Sequence, residues 1–434
     1  MRKMRDSGID WIGTIPQDWQ LSKIGSLYTQ RNEKVSDKDY QPLSVTMHGI
    51  LPQLATAAKT DDGDNRKLVR VGDFAINSRS DRRGSCGISP LDGSVSLINI
   101  ILTPRTAMHP VYYNWLFHTT LFADEFYKWG HGIVADLWTT RWQEMKSITI
   151  PVPEYAEQER IAAFLDAECA EIDAVLEKTR ASIEEYKKLK QAVITQAVTK
   201  GIRGDRPMKD SGIEWIGDIP AEWDVVRQKY FWNTVESGVS VNAADKPVDN
   251  SEQYGVLKTS AVSKFVFIPT EHKQVNLEEY WRVSCPVRAD SIIASRMNTP
   301  ELVGACGYVQ NNYPNLFLPD RLWQITFKDG LSPKYAWYYL SGIRVRQYIS
   351  SLSTGTSSSM QNISQSQYGN IFITIPSIGE QSEITKYLDE KCRFVDALVT
   401  KKQQYLTEIE NYKKSLIYEY VTGKKEVKTS VLAD

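Results

Sequence analysis

Three features of these 434 residues predict an α+β chain built twice, with two long helices joining the copies. First, residues 4–19 (MRDSGIDWIGTIPQDW) return as 208–223 (MKDSGIEWIGDIPAEW), with eleven of sixteen positions identical. Second, 150–201 aligns without gaps to 373–424: Pro153 meets Pro376, Glu157-Gln158 meets Glu380-Gln381, Leu165-Asp166 meets Leu388-Asp389, and Cys169 meets Cys392. Third, short β-branched and aromatic runs alternate with helical patches between the repeated pieces, which is the pattern of mixed domains rather than of a helical repeat array.

The elements follow in chain order. Each short motif opens a globular region, roughly 20–150 and 224–375. There FAINS, SLINIIL, KFVFIP and LWQITF read as strands, while VYYNWLFHTTLFADEFYKW and PKYAWYYLSGIRVRQYIS read as helices. A fainter echo inside these regions sets Asp73 beside Asp290, Arg79 beside Arg296 and Cys86 beside Cys306. The long segments then begin with Glu-Gln, a favourable charge for a first helical turn, and contain no Pro or Gly over 157–200 or 380–421. At 1.5 Å per residue each helix is roughly 60–65 Å long.

Apolar residues recur along the first helix at Ile161, Leu165, Ile172, Val175, Ile183, Tyr186, Val193 and Ala197. Along the second they recur at Ile384, Leu388, Val395, Leu398, Tyr405, Ile409, Tyr412, Leu416 and Tyr420. These spacings predict a coiled-coil seam. Glu157–Glu177 carries seven acidic residues and one basic, whereas Lys178–Lys200 carries two and six. An antiparallel pair sets opposite signs together, although the same asymmetry also complements a lone helix dipole. The expected organisation is a first domain over 1–152, a first helix over 153–204, a second domain over 205–375, and a second helix with its tail over 376–434, in a pseudo-two-fold arrangement.

Composition is that of an ordinary globular chain, 41% apolar and 24% charged, with net charge −1. There is no run of 18 apolar residues and no apolar stretch after the basic start, so the expectation is a cytoplasmic chain without a membrane anchor. Five cysteines form no CxxC pair, and five scattered histidines form no HExxH, which speaks against a metal site. Neither a Walker A loop, a GxGxxG turn, a GxSxG elbow nor a kinase signature occurs. Nothing in the sequence has the form of an active site.

What remains are polar loops. NSRSDRRGS (77–85) gathers Asn77, Arg79, Arg82 and Arg83; SRMN (295–298) echoes it with Arg296 and Asn298. STGTSSSMQNISQSQ (353–367) is uncharged and holds Thr356, Ser358 and Asn362. Arginine grips guanine or phosphate, Asn reads adenine, and hydroxyls contact either. The same residues equally suit ordinary solvated turns.

The whole arrangement resembles the specificity subunit of type I restriction–modification enzymes. The residues that carry the likeness are DSGIEWIGDIPAEW, the helix openings IPVPEYAEQERIAAFLD and EQSEITKYLD, and the closing AVITQAVTKG, which together span nearly the whole chain. That resemblance implies two target-recognition domains, each reading half of a split double-stranded DNA sequence, joined by an antiparallel coiled coil. It implies a subunit without catalysis or cofactor of its own. Two methylation subunits would bring S-adenosylmethionine, and restriction subunits that translocate DNA would use ATP and magnesium.

Its recognition loops correspond to 77–85, 128–141, 254–263, 295–299 and 353–365. These add His131, Arg141, Lys258 and Ser260 to the candidate DNA-binding residues. Ile161, Leu165, Ile172, Ile183, Val193, Ile384, Leu388, Val395, Ile409 and Leu416 are the candidates for helix pairing and partner docking. The other reading of the same chain is a structural adaptor, two protein-binding modules spaced by a coiled coil. Finally, the first short motif has no helix before it, so it is expected beside the end of the second helix, around Tyr420–Lys425, through Ile9, Trp11, Ile15 and Trp19. The second copy is expected to use Ile213, Trp215, Ile219 and Trp223 in the same way.

Overall fold

A computed structural model describes residues 2–53, 62–132, 138–357 and 360–428. Contacts divide the chain into two units, 1–180 with 403–434 and 181–402. Each unit takes part of both long helices, 155–180 with 403–421 in the first and 181–200 with 378–402 in the second.

In the first unit, Met4–Asp6 and Thr14–Pro16 form a hairpin, and Gln20–Lys23 pairs with Thr149–Val152. A four-stranded sheet follows in the order Tyr28–Arg31, Asn99–Pro104, Phe74–Asn77, Cys86–Ile88. The helices Pro110–Phe117 and Thr120–Lys128 lay Tyr112, Tyr113, Phe117, Phe122 and Phe126 into its core. The second unit repeats the plan. Its hairpin is Met208–Asp210 with Asp218–Pro220, and Asp224–Arg227 pairs with Phe372–Ile375. Its four-stranded sheet runs Trp232–Ser237, Leu322–Phe327, Ser291–Ser295, Cys306–Val309, and its helices are Pro333–Ser341 and Ile343–Leu352.

Equivalent strands therefore occupy equivalent places, and the faint Cys86/Cys306 echo marks the same edge strand in both sheets. The second unit adds a five-stranded sheet that contains one parallel pair, Gly255–Leu257 against Tyr313–Phe317. The run KFVFIP is a turn and not a strand. Phe265 takes a left-handed backbone (φ 58°) and its carbonyl receives the Trp337 indole N–H.

The long helices are Tyr155–Lys200 and Ile378–Val421. Within the first unit Asp173 pairs with Lys413 and Arg180 with Glu410, both at 2.6 Å. Within the second, Lys190 pairs with Asp396 and Arg203 with Glu383, both at 2.7 Å. Each unit thus sets the helices antiparallel. Ile161, Leu165, Ile183, Ile384, Leu388, Val395 and Leu416 are buried as expected; Ile172, Val193 and Ile409 are partly buried.

Val175, Tyr405 and Tyr412, however, are exposed. The buried or half-buried neighbours Leu176, Leu406 and Lys413 take the inward positions instead. Leu176 continues the step of four and three from Leu165 through Cys169 and Ile172, and that seam places a residue inward one position after each misread apolar side chain. Cys169 and Cys392 both lie inward, and burial raises each thiol to about 11.

Both helices end on a glycine with a left-handed backbone, Gly201 (φ 73°) and Gly423 (φ 70°). At each, another side chain stands where a Cβ would go: the Arg206 guanidinium at Gly201, and Pro16 of the first short motif, at 2.5 Å, at Gly423.

Candidate functional site

Against each helix end and helix start sits one copy of the short motif. In the first unit Lys424 Nζ and Tyr418 Oη donate to the Ile12 carbonyl, and Tyr112 Oη donates to that of Val421. Trp19 Nε1 donates to Glu157 at 2.9 Å; Arg2 donates to both oxygens of Glu157 and to Asp18, with its guanidinium 5.5 Å from the Trp19 ring. In the second unit Trp223 Nε1 donates to Glu380 at 2.9 Å. Arg206 bonds Glu380, Glu222 and the Lys200 carbonyl, lies 5.0 Å from the Trp223 ring, and Tyr335 Oη donates to the Val198 carbonyl.

The expected position of the first motif beside the second helix is observed, and Ile12 and Ile216 join the buried apolar set. Glu157 and Glu380, expected only to favour a first helical turn, are the acceptors on which each joint closes. Arg2 and Arg206 stand two residues upstream of the repeated motif and align under the same offset.

The polar loops converge separately within each unit. In the first, Thr140 N donates to the Ser78 carbonyl at 3.0 Å and Ser80 N to that of Trp138 at 2.9 Å, while His131 and Thr139 exchange backbone bonds. Segments 77–80, 131 and 138–141 therefore form one edge, on which the side chains of Arg82, Arg83, His131 and Arg141 are exposed. Arg79 and Arg82 both lie near Asp81, at 3.3 and 3.8 Å, and Arg83 pairs with Asp124. Asn77 differs from the expectation. It is buried, and its Oδ1 accepts the Arg79 N–H, so it shapes the turn and presents no edge outward.

In the second unit Met297–Asn298 pairs with Met360–Asn362, which pairs in turn with Thr354–Ser357. Ile363 N donates to the Arg296 carbonyl, and Arg296 N to that of Arg321, an exposed cation the sequence reading did not single out. Asn298 Oδ1 accepts the Thr299 N–H. Arg296 Nε and Asn362 Oδ1 are buried and find no hydrogen-bond partner among the described residues. Ser358 and the side chain of Thr356 lie outside the described residues.

Lys258 and Ser260 stand elsewhere, at the end of Gly255–Leu257 in the five-stranded sheet. Ser260 Oγ donates to Glu271, and Lys258 approaches Asp245 at 3.7 Å. Asp245 is held below the usual carboxylate range, chiefly by its bond to Lys273. Among the described residues no group of three His, Cys, Asp or Glu is placed to hold a metal ion, and no helix is long and apolar enough to cross a membrane.

Both edges are strand-plus-turn surfaces: the first shows Arg and His side chains, the second Arg296 and Asn298, and such side chains can reach phosphates and base edges.

The type I restriction modification DNA specificity domain family matches residues 222–410. The chain is 26% identical over 440 residues to the MjaVIII specificity subunit of Methanocaldococcus jannaschii, a type I restriction enzyme subunit, covering 95% of this chain and 94% of that one. Its fold resembles a chain solved to explain the complex assembly and conformational transition of a type I R-M system. That match has a TM-score of 0.70 at 16% identity, over 95% of this chain and 99% of the other. It also resembles the HsdS subunit from Thermoanaerobacter tengcongensis, with a TM-score of 0.51 at 17% identity, over 95% and 98%. At these identities the two structures establish a shared fold.

Proposed function

We propose that this chain, which belongs to the specificity subunits of type I restriction–modification systems, recognises DNA through the two convergent edges, one in each unit. It takes no part in the chemistry: it selects the sequence and leaves methylation and cleavage to other subunits of the complex. Each unit carries one recognition module and reads one half of a bipartite target. Because the two edges share a plan and the Arg79/Arg296 pair but little else (His131 and Arg141 on one against Asn298 and Asn362 on the other), the halves differ and the target is asymmetric.

The observation that carries this reading is the convergence itself. Segments far apart in sequence meet at hydrogen-bond distance in both units, Ser78 and Ser80 with Thr140 and Trp138 in the first and Arg296 with Ile363 in the second, and gather Arg side chains, joined by Asn298 in the second unit, that suit bases. The finer assignments follow from the family resemblance. Two methylation subunits dock along the coiled coil and supply S-adenosylmethionine, restriction subunits supply ATP-driven translocation with magnesium, and the helices set the unread spacer between the half-sites.

The test is co-expression with candidate methylation subunits, followed by mapping of methylated adenines across a genome. A single consensus with two defined halves and a constant spacer is the expected result. Methylation with no bipartite consensus overturns the reading.

A further inference from the structure

The two recognition edges differ in the side chains they show, yet each rests on a helix that grips its loop from behind. In the first unit that helix is Thr120–Lys128, and the gripping residue is Tyr127. Its hydroxyl is 2.9 Å from the Asn77 carbonyl and 3.3 Å from the Arg82 carbonyl, one at each end of the arginine-rich turn. The Arg82 carbonyl also takes the Ser85 N–H, and Asn77 N donates to Ser85 O at 2.8 Å, so the hydroxyl sits at the neck of a closed loop. The Tyr127 ring lies 5.8 Å from the Arg83 guanidinium, which pairs with Asp124 of the same helix.

In the second unit the helix is Ile343–Leu352, and the gripping residue is Arg346. Arg346 is buried. Its Nη1 donates to the Val303 carbonyl at 2.9 Å and its Nη2 to that of Glu301, and its guanidinium lies 4.4 Å from the Phe265 ring centroid. The gripped segment is the turn that follows Arg296–Asn298. Gly304 N returns to Ser295 O at 2.7 Å and Val303 N to Thr299 O at 2.8 Å, which closes that loop as well.

We propose that Tyr127 and Arg346 are positioning residues for sequence recognition, each fixing through main-chain carbonyls the loop whose side chains meet DNA. This inference rests on the recognition reading above. Two details support a role in aiming rather than in stability alone. Each helix runs directly into the second segment of its edge, Thr120–Lys128 toward 131 and 138–141, and Ile343–Leu352 into Thr354–Ser357. One rigid element therefore sets both segments at once.

The two solutions are also chemically unrelated, a phenol and a guanidinium at positions that do not align between the repeats, although they do the same job. A fold that needed only a packed core would be served by any apolar side chain at either place. Bidentate base contacts tolerate displacements of only about 0.5 Å, so a loop released at its neck loses discrimination before it loses contact.

The test uses the full chain assembled with its methylation subunits and compares wild type with Tyr127→Phe and Arg346→Lys. Tyr127→Phe removes one hydroxyl and keeps the ring; Arg346→Lys keeps the charge but cannot span two carbonyls. Methylated adenines are mapped genome-wide, and each half-site serves as the internal control for the other. In each variant, methylation at sites with one wrong base in a single half should rise about five- to tenfold relative to the intact target, with the other half unchanged, and the relaxed half should differ between the two variants.

Folded variants with wild-type mismatch rates, or relaxation of both halves together, overturn the inference. If Arg346→Lys does not fold, Tyr127→Phe decides alone. A wild-type complex that yields no bipartite consensus overturns the recognition reading itself, and so separates the two failures.

Discussion

The joint between short motif and helix contains a buried ion pair whose energetic weight can be worked out from its surroundings. The Arg206 side chain is 10% exposed and that of Glu380 4%, with Nη1 to Oε1 at 2.6 Å. Replacing Arg206 by Met strips the carboxylate of its cation and leaves it the Trp223 indole N–H as a side-chain donor among the described residues. An uncompensated buried charge costs about 3–5 kcal/mol. Replacing Glu380 by Gln is milder. Arg206 keeps Glu222 at 3.0 Å and the Lys200 carbonyl at 2.9 Å, so the expected loss is about 1–3 kcal/mol.

In the double variant the stranded charge is gone, and its loss should fall short of the sum of the singles by about 1–3 kcal/mol. The duplicate joint supplies a control. Arg2 and Glu157 are 17% and 13% exposed, so Arg2→Met should cost clearly less than Arg206→Met. The measurement is denaturant unfolding of the full chain, followed by circular dichroism and by tryptophan fluorescence. Additive losses for Arg206 and Glu380, or equal losses at the two joints, would refute the argument from burial.

Further outcomes follow from other parts of the chain. Gly423→Ala should destabilise by more than Gly8→Ala: both carry φ 70°, but a Cβ at Gly423 meets Pro16 at 2.5 Å whereas at Gly8 nothing lies within 4 Å. The second variant thus isolates the backbone cost of about 1 kcal/mol in the same unfolding assay. Arg82→Ala should weaken DNA binding evenly across sequences and lower the slope of log affinity against log salt by about one, because Arg82 is exposed and its nearest carboxylate is 3.8 Å away. Burial lowers the His118 proton affinity against an opposing bond to the Asn114 carbonyl. The unfolded chain therefore takes that proton first. Stability is full above the ordinary histidine value of about 6.5 and falls as pH drops through it, and His118→Gln should flatten the fall between pH 7.5 and 5.5.

How far the sequence foretold this molecule depends on the range of the interaction. Duplication, long helices and their antiparallel sense were readable because local composition writes them: unbroken helical stretches, and acidic and basic halves. The seam was misread by one residue at Val175, Tyr405 and Tyr412 because adjacent positions compete. Val175 stands next to Leu176, Tyr405 next to Leu406, and at 412–413 the inward residue is Lys413, which reaches Asp173 and carries no apolar signal. KFVFIP was misread as a strand because its β-propensity was overridden by tertiary packing, with Phe265 beneath Arg346 and Phe267 against Tyr313.

The recognition edges show the same limit from the other side. Composition pointed to Arg79, Arg82, Arg296 and Asn298, since polar side chains in turns are visible locally. It gave no warning that Asn77 faces inward, or that Tyr127 and Arg346 hold the turns, because those contacts join a side chain to a main-chain carbonyl about 45 residues away. No side-chain pattern encodes a carbonyl acceptor, which every residue possesses.

This asymmetry explains how the two units have diverged. The joints use side-chain partners on both sides, Arg and Trp with Glu, and a change in one partner strands the other in a buried site. They are nearly identical in the two units. The loop grips use carbonyls on one side, so the grip is free to come from a Tyr in one unit and from an Arg at a different helix position in the other, and the gripped turn to change its sequence, without leaving an unpaired side chain behind. The positions that determine what is read are therefore those under the weakest chemical constraint from the rest of the fold.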